Sequence, residues 1–335
     1  MTALVNQAIK LVQRPVGAPK PTDWRLATEE PPEIAEDEAL VRVLYLSLDP
    51  AMRGWMNDVR SYVAPIELGA TMRAFGIGEV IASTSATFKA GDLVSGRLGV
   101  QTLAVMRGED LSKVDPELAP LPVQLNTFGI PGLTAYFGLC DVARLKDGET
   151  VLVSAAAGAV GQTAGQIAKI KQCRAVGIAG GAEKCRRLID EFGFDAAIDY
   201  KSEDVRARLR DTCPQGVDVY FDNVGGGILN AALTRLAIGA RIIICGAISQ
   251  YNSLEKPPGP SNYLSLIVFR ASMQGFVVSD YANQYPDAIA EMALWRRQGK
   301  LKSREDIVEG IEQFPQALGK LFSGANSGKL VLKVA

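Results

Sequence analysis

The stretch Val151-Leu-Val-Ser-Ala-Ala-Ala-Gly-Ala-Val-Gly-Gln162 joins an apolar run to a turn of very small residues. A short apolar run followed by a helical pattern predicts a β-strand that enters a helix through this turn. The unpaired N–H groups at a helix N-terminus bind phosphate when no large side chain keeps the phosphate at a distance. The stretch therefore predicts a phosphate-binding turn.

The dinucleotide-binding fingerprint G-x-G-x-x-G has this spacing. Here its three positions are Ala156, Gly158 and Gly161, with alanine in place of the first glycine. The turn follows an apolar strand, opens a helix with small residues on its inner face, and leads to a second strand at 174–179. This context favours pyrophosphate binding over the alternative, a tightly packed turn without a ligand.

The chain around this motif alternates between strands and helices. Strands are predicted over 151–154, 174–179, 196–199, 217–222, 241–245 and 273–278, and helices over 159–172, 182–192, 202–212, 226–237 and 283–298. Short apolar strands separated by helices are typical of a parallel sheet that is covered on both faces. The fold class is therefore α/β, with a Rossmann doubly wound parallel sheet in the middle of the chain.

The sequence before this region has a different texture. Residues 1 to about 125 consist of short apolar runs between Gly, Pro and Asp, which suits a partly open β-barrel, and a proline-rich passage places a domain boundary near residue 127. The segment from Glu309 to Ala335 predicts an amphipathic helix and a final strand at 328–334. That strand could extend the middle sheet or return to the first domain.

Composition limits the possible partners and locations. The chain has 335 residues, with 36 Lys and Arg against 37 Asp and Glu, so its formal net charge is −1. A chain with so little net charge has no electrostatic field that would recruit nucleic acid or anionic lipid. No apolar run reaches the roughly 18 residues that span a bilayer. The five cysteines form no close pair, which indicates free thiols in a reducing compartment and favours a cytoplasmic location.

Histidine is absent from the chain. This excludes a Ser-His-Asp triad, a Cys-His dyad and the usual catalytic zinc sites that contain histidine. We expect no metal site. Proton transfer must then use tyrosine, lysine, a carboxylate, water or a hydroxyl group of a cofactor.

The end of the second strand indicates which dinucleotide binds. NAD-binding proteins carry Asp or Glu there for the adenosine ribose, whereas this strand runs into Gly180 and Gly181, with Lys184 in the next helical turn. Glycines leave room for a 2′-phosphate and a lysine neutralises it. We therefore predict NADP(H). The alternative is that Lys184 is an ordinary solvated helix residue.

Three further segments fall at the carboxyl ends of predicted strands, where such folds bind ligands. Tyr200 follows the third strand, on the adenosine side. Asn223 follows the fourth strand, before a run of glycines. The loop from Cys245 to Tyr251 follows the fifth strand. Each segment could equally be a turn or surface packing.

Seven ordered blocks carry a resemblance to a known family. They are Leu48-Asp-Pro-Ala-Met-Arg-Gly-Trp-Met56, Gly129-Ile-Pro-Gly-Leu-Thr-Ala-Tyr136, Ala155-Ala-Ala-Gly-Ala-Val-Gly161, Phe221-Asp-Asn-Val-Gly-Gly226, Cys245-Gly-Ala-Ile-Ser249, Gln274-Gly-Phe-Val-Val278 and Gly324-Ala-Asn-Ser-Gly-Lys329. The chain resembles the zinc-independent medium-chain dehydrogenases/reductases, in the branch of prostaglandin reductases, alkenal double-bond reductases and bacterial curcumin reductases.

The resemblance implies a GroES-like catalytic domain at 1–127 and 309–335 and a Rossmann NADP-binding domain at 128–308. It implies NADPH as the cofactor, without zinc, and a homodimer formed through the edge strands of the Rossmann sheets. The cofactor-binding residues implied by the fingerprint and the resemblance together are Ala156, Gly158, Ala159, Val160, Gly161, Gln162, Lys184, Tyr200, Asn223, Cys245, Gly246, Ala247, Ile248, Ser249, Tyr251, Phe276, Val277, Val278 and Asn326.

The family's reaction is reduction of the carbon-carbon double bond of α,β-unsaturated ketones and aldehydes. Charge that develops on the carbonyl oxygen needs a hydrogen-bond donor in a dry site. Eukaryotic members have a tyrosine eight residues before the phenylalanine of the Gly-Phe-Val-Val block, where this chain has Val268. The candidate catalytic residues are therefore, in order, Tyr251, Tyr62 and Tyr263.

Two other functions remain open at this point. A quinone reductase of the same superfamily would share the nucleotide site. An NADPH-binding protein without catalytic activity would explain the valine at position 268.

Overall fold

The computed structural model describes residues 4–335 and divides the chain into two compact units. One unit contains the described chain up to Leu125 together with Glu305–Ala335, and the other is Asn126–Arg304. The boundaries predicted from the sequence are near 127 and 309. The second boundary lies earlier because a strand at Glu305–Glu309 pairs in parallel with Lys329–Lys333 near the end of the chain.

The elements follow one another in a regular order. In chain order, the strands are β1 (Asn6–Leu11), β2 (Trp24–Glu29), β3 (Glu38–Ser47), β4 (Gly76–Ser83), β5 (Leu93–Gly96), β6 (Leu103–Arg107), β7 (Ser112–Lys113), β8 (Thr150–Ser154), β9 (Arg174–Ala179), β10 (Ala196–Asp199), β11 (Val217–Asp222), β12 (Leu236–Ile244), β13 (Ser272–Gly275), β14 (Glu305–Glu309) and β15 (Lys329–Lys333). The α-helices are α1 (Ala51–Trp55), α2 (Leu121–Asn126), α3 (Ile130–Phe137), α4 (Ala159–Ile170), α5 (Ala182–Asp190), α6 (Val205–Thr212), α7 (Gly226–Ala232), α8 (Ser265–Phe269), α9 (Tyr285–Arg297) and α10 (Phe314–Ser323).

The unit Asn126–Arg304 contains a six-stranded sheet in the order β10-β9-β8-β11-β12-β13. Every strand pair in it is parallel. Numbered from β8, this is the 3-2-1-4-5-6 order of the Rossmann fold. The direction of strand succession reverses between β8 and β11, and ligands bind outside the carboxyl ends of the strands at such a reversal.

Burial explains why this sheet forms. All five residues of β8 are buried, as expected for a central parallel strand with helices on both faces. Helix α4 packs closely against the sheet because its inner face carries small residues: Ala164 and Ala168 are fully buried, and a Cβ added to Gly165 would overlap the ring of Phe194.

Four predicted elements in this unit differ from the structure by three residues or more at one end. Strand β12 begins at Leu236 rather than 241. Helix α7 ends at Ala232 rather than 237 because Leu236 already pairs with Val217 at the start of β12. Strand β13 runs from Ser272 to Gly275 rather than from 273 to 278, and a 3-10 helix begins at Val278. Helix α6 begins at Val205 rather than 202 because the Asp204 carboxylate accepts the N–H of Ala207 at 3.0 Å and caps the helix.

The other unit is antiparallel except for the pair β14–β15, and it centres on β3, which pairs with β4, β6 and β15. The last strand of the chain therefore returns to the first part of the sequence. The principal sheet runs from β14 to β7 without closing, while β1 and β2 form a separate hairpin-like pair. Trp24 and Phe314 join the two sequence segments in the core, with their rings edge to face at 5.3 Å. The predicted combination of a Rossmann domain with a separate antiparallel β domain is confirmed.

Across residues 4–335, none of the helices combines the length and the hydropathy needed to cross a membrane.

Candidate functional site

The turn after β8 is shaped by its backbone. Ala155 has a positive φ of 47°, and the N–H of Gly158 donates to the Ala155 carbonyl at 2.9 Å, which closes the turn. Gly158 is the N-cap of α4, and the N–H of Gln162 is the first to donate back along the helix, to the Gly158 carbonyl at 3.0 Å. The N–H groups of residues 159–161 thus belong to the first turn, which offers no acceptor within the helix.

The alanine in the first fingerprint position is accommodated by a glycine on the neighbouring strand. Ala156 is fully buried, and a Cβ on Gly177 of β9 would lie only 2.9 Å from the Ala156 methyl group. The glycine at 177 therefore provides the volume that the alanine at 156 fills. The last fingerprint glycine has a different role, because a Cβ on Gly161 would overlap the Ala155 carbonyl oxygen and lie 2.6 Å from the Cα of Ala156.

The side chain of Gln162 binds a distant part of the same unit. Its side-chain amide is buried and makes two hydrogen bonds to the backbone of Arg304: Oε1 accepts the N–H at 3.0 Å, and Nε2 donates to the carbonyl at 3.3 Å. The amide is therefore directed at the end of this unit and not at the phosphate turn.

A buried carboxylate joins the ends of β8 and β11 at the point where the strand order reverses. The Oδ1 atom of Asp222 accepts the hydroxyl groups of Ser154 and Tyr220 at 3.0 and 2.7 Å, and the N–H groups of Val224 and Gly225 at 3.0 and 2.9 Å. Burial, together with the adjacent carboxylate, raises the pKa of Tyr220 well above its usual value. Tyr220 is thus a neutral structural donor.

Asn223 is held by the same cluster. Its N–H donates to the Ser154 hydroxyl oxygen, and its Nδ2 donates to the Ser154 carbonyl, both at 2.8 Å. The sequence analysis missed Ser154 and Asp222, although an acid directly after the apolar run of β11, inside one of the family blocks, is a signal that could have identified Asp222.

The loop 245–251 is tied to this edge of the sheet. The N–H groups of Cys245 and Gly246 donate to the Asp222 carbonyl at 2.9 and 3.1 Å, and the Ser249 hydroxyl donates to the Val224 carbonyl at 2.6 Å. The pKa of the Cys245 thiol is raised to about 12, mainly by burial and to a smaller extent by the nearby Asp222 carboxylate. The Cys245 thiol therefore keeps its proton at neutral pH and is a poor nucleophile. Ala247 and Ile248 lie within this loop, and the Ile248 N–H donates to the Asn223 carbonyl at 3.2 Å.

The end of β9 is open and polar. A Cβ on Gly180 would lie 2.9 Å from the hydroxyl oxygen of Tyr200 and 3.0 Å from Cε of Lys201, so both side chains lie over this glycine. The Asp199 carboxylate accepts the N–H of Gly181 at 2.7 Å, and this bond is the main reason that its pKa lies below its ordinary value. Lys184 lies in the first turn of α5.

The remaining predicted cofactor residues lie in two places. Phe276, Val277 and Val278 follow the end of β13, and the Phe276 ring contacts Tyr281 edge to face at 6.5 Å. Asn326 belongs to the other unit, where its Nδ2 donates to the carbonyl of Gly328 at 2.8 Å.

The three candidate catalytic tyrosines have different environments. The Tyr251 hydroxyl oxygen accepts the N–H of Ala247 at 3.1 Å, which holds it at the same sheet edge as Asn223. Tyr263 lies just before α8 and is 60% exposed. Tyr62 is also 60% exposed and belongs to the antiparallel unit. Tyr251 is itself the last residue of the loop 245–251.

Within the part of the chain that the structure describes, no group of three or more His, Cys, Asp or Glu residues is placed to hold a metal ion. The prediction that the protein holds no zinc rests on the absence of histidine from the sequence.

Comparison with known proteins places the chain among oxidoreductases. A family model described as the N-terminal domain of oxidoreductase matches residues 7–114, and one described as zinc-binding dehydrogenase matches residues 159–293. The NADPH-dependent curcumin reductase of Escherichia coli (strain K12) is 41% identical over 335 residues, which cover 98% of this chain and 97% of the relative. The NADP(+)-dependent 2-alkenal reductase of Nicotiana tabacum is 40% identical over 337 residues, or 98% of each chain.

A solved structure extends the likeness to three dimensions. The crystal structure of CurA from Vibrio vulnificus in complex with NADPH matches with a TM-score of 0.93 and 41% identity, covering 98% of this chain and 99% of that one. Family models match both halves of the chain, and the relatives match nearly its full length. These matches support the resemblance that the seven sequence blocks indicate. The chain belongs to the medium-chain dehydrogenase/reductase superfamily, in the branch that contains the NADPH-dependent curcumin, 2-alkenal and prostaglandin reductases.

Proposed function

We propose that this protein reduces the carbon-carbon double bond of α,β-unsaturated ketones and aldehydes with NADPH. The observation that carries the proposal is the 41% identity over nearly the whole chain to a curcumin reductase that uses NADPH. The 2-alkenal reductase, at 40% identity, points to the same class of substrate.

The turn after β8 fits the pyrophosphate of NADPH. The first turn of α4 presents the N–H groups of residues 159–161 at the carboxyl edge of the sheet, beside the reversal of strand order. The side chains before them, from Ala155 to Ala159, are no larger than a methyl group. The backbone N–H groups of Ala159, Val160 and Gly161 would hold the phosphate oxygens, whereas the N–H of Gln162 already donates to the Gly158 carbonyl and its amide to Arg304.

The end of β9 fits a ribose that carries a 2′-phosphate. Lys184 would neutralise the phosphate, and Tyr200, which lies over Gly180, would cover the adenosine. The Asp199 carboxylate already accepts the N–H groups of Gly181 and Lys201, at 2.7 and 3.0 Å, which holds it in its own turn. Asn223 and the loop 245–251 would line the nicotinamide half.

When bound, NADPH supplies a hydride to the β-carbon of the alkene, and a proton completes the reduction at the α-carbon. The protein's task is to stabilise the negative charge on the carbonyl oxygen with a hydrogen-bond donor. Tyr251 is the candidate donor whose hydroxyl is held within the loop 245–251, where its oxygen accepts the N–H of Ala247. Cys245 keeps its proton at neutral pH because of its raised pKa, so it adds no competing nucleophile beside an electrophilic substrate.

Isotope transfer tests this function. The purified protein is incubated with 4-hydroxynonenal, curcumin or a simple enone and with NADPH that carries deuterium at either face of nicotinamide C4. We expect one deuterium on the β-carbon of a saturated carbonyl product, from one face. Recovery of the allylic alcohol would reject the proposal. Turnover of quinones with inert enones would favour a quinone reductase, and tight NADPH binding without any turnover would favour a non-catalytic role.

We also propose that the protein forms a homodimer through β13 and is located in the cytoplasm. Strand β13 is the edge of the Rossmann sheet, and the preceding helix α8 exposes Ile267 and Val268. Light scattering should give about twice the chain mass of 35.8 kDa. The five free cysteines support a reducing compartment.

A further inference from the structure

Two glutamines on α4 bind the backbone of a distant segment. Gln162 is fully buried and Gln166 is 2% exposed. They lie four residues apart and therefore on one face of the helix. Buried amides are normally found where every polar atom has a partner, so the partners of these two side chains indicate what the pair is for.

Each amide makes a two-point contact. The Gln166 Oε1 accepts the N–H of Lys302 at 2.8 Å and its Nε2 donates to the Lys302 carbonyl at 2.9 Å. Gln162 does the same with Arg304, at 3.0 and 3.3 Å. The two side chains thus bind alternate residues of one segment, as a neighbouring β-strand would. We call Gln162, Gln166 and the segment 302–304 the glutamine clamp.

The clamp is continuous with the first turn of α4. The N–H of Gln162 donates to the carbonyl of Gly158, the N-cap. The Gln162 carbonyl accepts a second bond from Nε2 of Gln166 at 2.9 Å. One short stretch of helix backbone therefore carries both the phosphate-binding turn and the anchor of segment 302–304. Arg304 is the last residue of this unit, so the clamp fixes the point where the chain leaves it.

We propose that Gln162 and Gln166 are positioning residues that hold segment 302–304 on α4, and that NADPH at the first turn of α4 opposes release of this segment. The second part rests on the proposed binding of NADPH. Release of the segment removes four hydrogen bonds from α4 next to the turn, so any loss of order there weakens phosphate binding. Coupling between two events is reciprocal, so NADPH must disfavour release by the same factor.

Limited trypsin digestion reads the release directly, because Lys302 and Arg304 are themselves cleavage sites with exposed side chains. Digestion is followed by mass spectrometry of the fragments that end at these two residues. We expect Gln166→Met and Gln162→Met, which keep the side-chain volume, to speed cleavage about 10-fold or more, as the loss of two buried hydrogen bonds predicts. We expect saturating NADPH to slow cleavage of the wild type.

A matched control is Gln124→Met. Gln124 is also buried and its Nε2 also donates to two backbone carbonyls, of Asp115 and Ala119 at 2.8 and 2.7 Å, but it lies in the other unit. This variant should lose comparable thermal stability without faster cleavage after Lys302 and Arg304. Equal acceleration in the control would show general destabilisation and overturn the clamp. Hydrogen exchange at the Lys302 and Arg304 amides gives a second readout.

NADPH binding is measured on the same samples by nucleotide fluorescence, which separates the two proposals. Wild type that binds NADPH but is cleaved at an unchanged rate overturns the coupling and leaves the proposed function intact. Failure to bind NADPH overturns both the coupling and the proposed function. Unchanged cleavage in both Met variants overturns the clamp.

Discussion

The turns after β8 and β9 lie side by side at one edge of the same sheet but are built on opposite principles. The turn after β8 is closely packed, because a Cβ on Gly161 would overlap backbone atoms of Ala155. In the turn after β9, a Cβ on Gly181 would meet nothing within 4 Å, and the atoms nearest to a Cβ on Gly180 would be those of the Tyr200 and Lys201 side chains. The first turn is specified by backbone geometry and volume, whereas the second is specified by which side chains surround it. Substitutions should therefore damage the first through the fold and the second through charge.

The largest effect is expected from Gly161→Ala. The added methyl group overlaps the Ala155 carbonyl and presses on the Cα of Ala156, and neither backbone atom can move without shifting α4. Overpacking of this kind costs about 1–3 kcal/mol. We expect a lower urea midpoint and, because relief of the overlap displaces the turn, a loss of NADPH affinity of about 5- to 140-fold, since about 1.4 kcal/mol is tenfold in binding.

Gly158→Ala is the matched substitution in the same turn. Its Cβ approaches only the Ala155 carbonyl oxygen, at 3.2 Å, and the backbone φ of −82° is ordinary for alanine. The unfolding midpoint should stay close to that of the wild type, whereas the affinity for NADPH should fall. Equal unfolding midpoints for the two variants would break the claim that packing sets this turn.

The second effect concerns charge at the turn after β9. Lys184→Gln should leave the unfolding midpoint unchanged and weaken NADPH by about 10- to 100-fold, the range expected for a hydrogen bond to a charged group. The affinity of this variant for NADH, which lacks the 2′-phosphate, should equal that of the wild type. Arg186→Gln, an exposed residue two positions along the same helix, is the control. If both variants lose NADPH affinity equally, the general charge of α5 and not Lys184 sets the preference.

The smallest effect is expected from Tyr251→Phe. The substitution removes the hydroxyl that accepts the Ala247 N–H, and with it a candidate donor to the substrate carbonyl. Water can supply the final proton, so kcat with an enone should fall about 10-fold and not disappear. Tyr62→Phe and Tyr263→Phe are parallel measurements. A larger loss of kcat in either variant, with the kcat of Tyr251→Phe unchanged, would show that Tyr62 or Tyr263, and not Tyr251, is the donor to the substrate carbonyl.

The sequence predicted most of the Rossmann sheet because the pattern there is local. The strands at 174–179, 196–199 and 217–222 have the bounds that the apolar runs indicate. The errors at α7 and β13 arise because small and apolar residues fit both a helix and a strand, and pairing with a distant strand decides between them. Leu236 is an example, since its partner is Val217.

The site was less predictable where it depends on contacts distant in sequence. Nothing near Ala156 indicates that Gly177 makes room for its methyl group. Nothing near Gln162 indicates that its side-chain amide binds the backbone of Arg304, 142 residues away. The loop 245–251 was placed at the correct edge because the end of a parallel strand fixes its position.

The most direct test of the central claim is calorimetric titration of the wild type and Gly158→Ala with NADPH and with NADH. We expect heat on binding and a thermal shift with NADPH, weaker binding of NADH, and a loss of NADPH affinity in Gly158→Ala at a nearly unchanged free energy of unfolding. No heat and no thermal shift at saturating NADPH would contradict the claim that the first turn of α4 binds the pyrophosphate, and so would full NADPH affinity in Gly158→Ala.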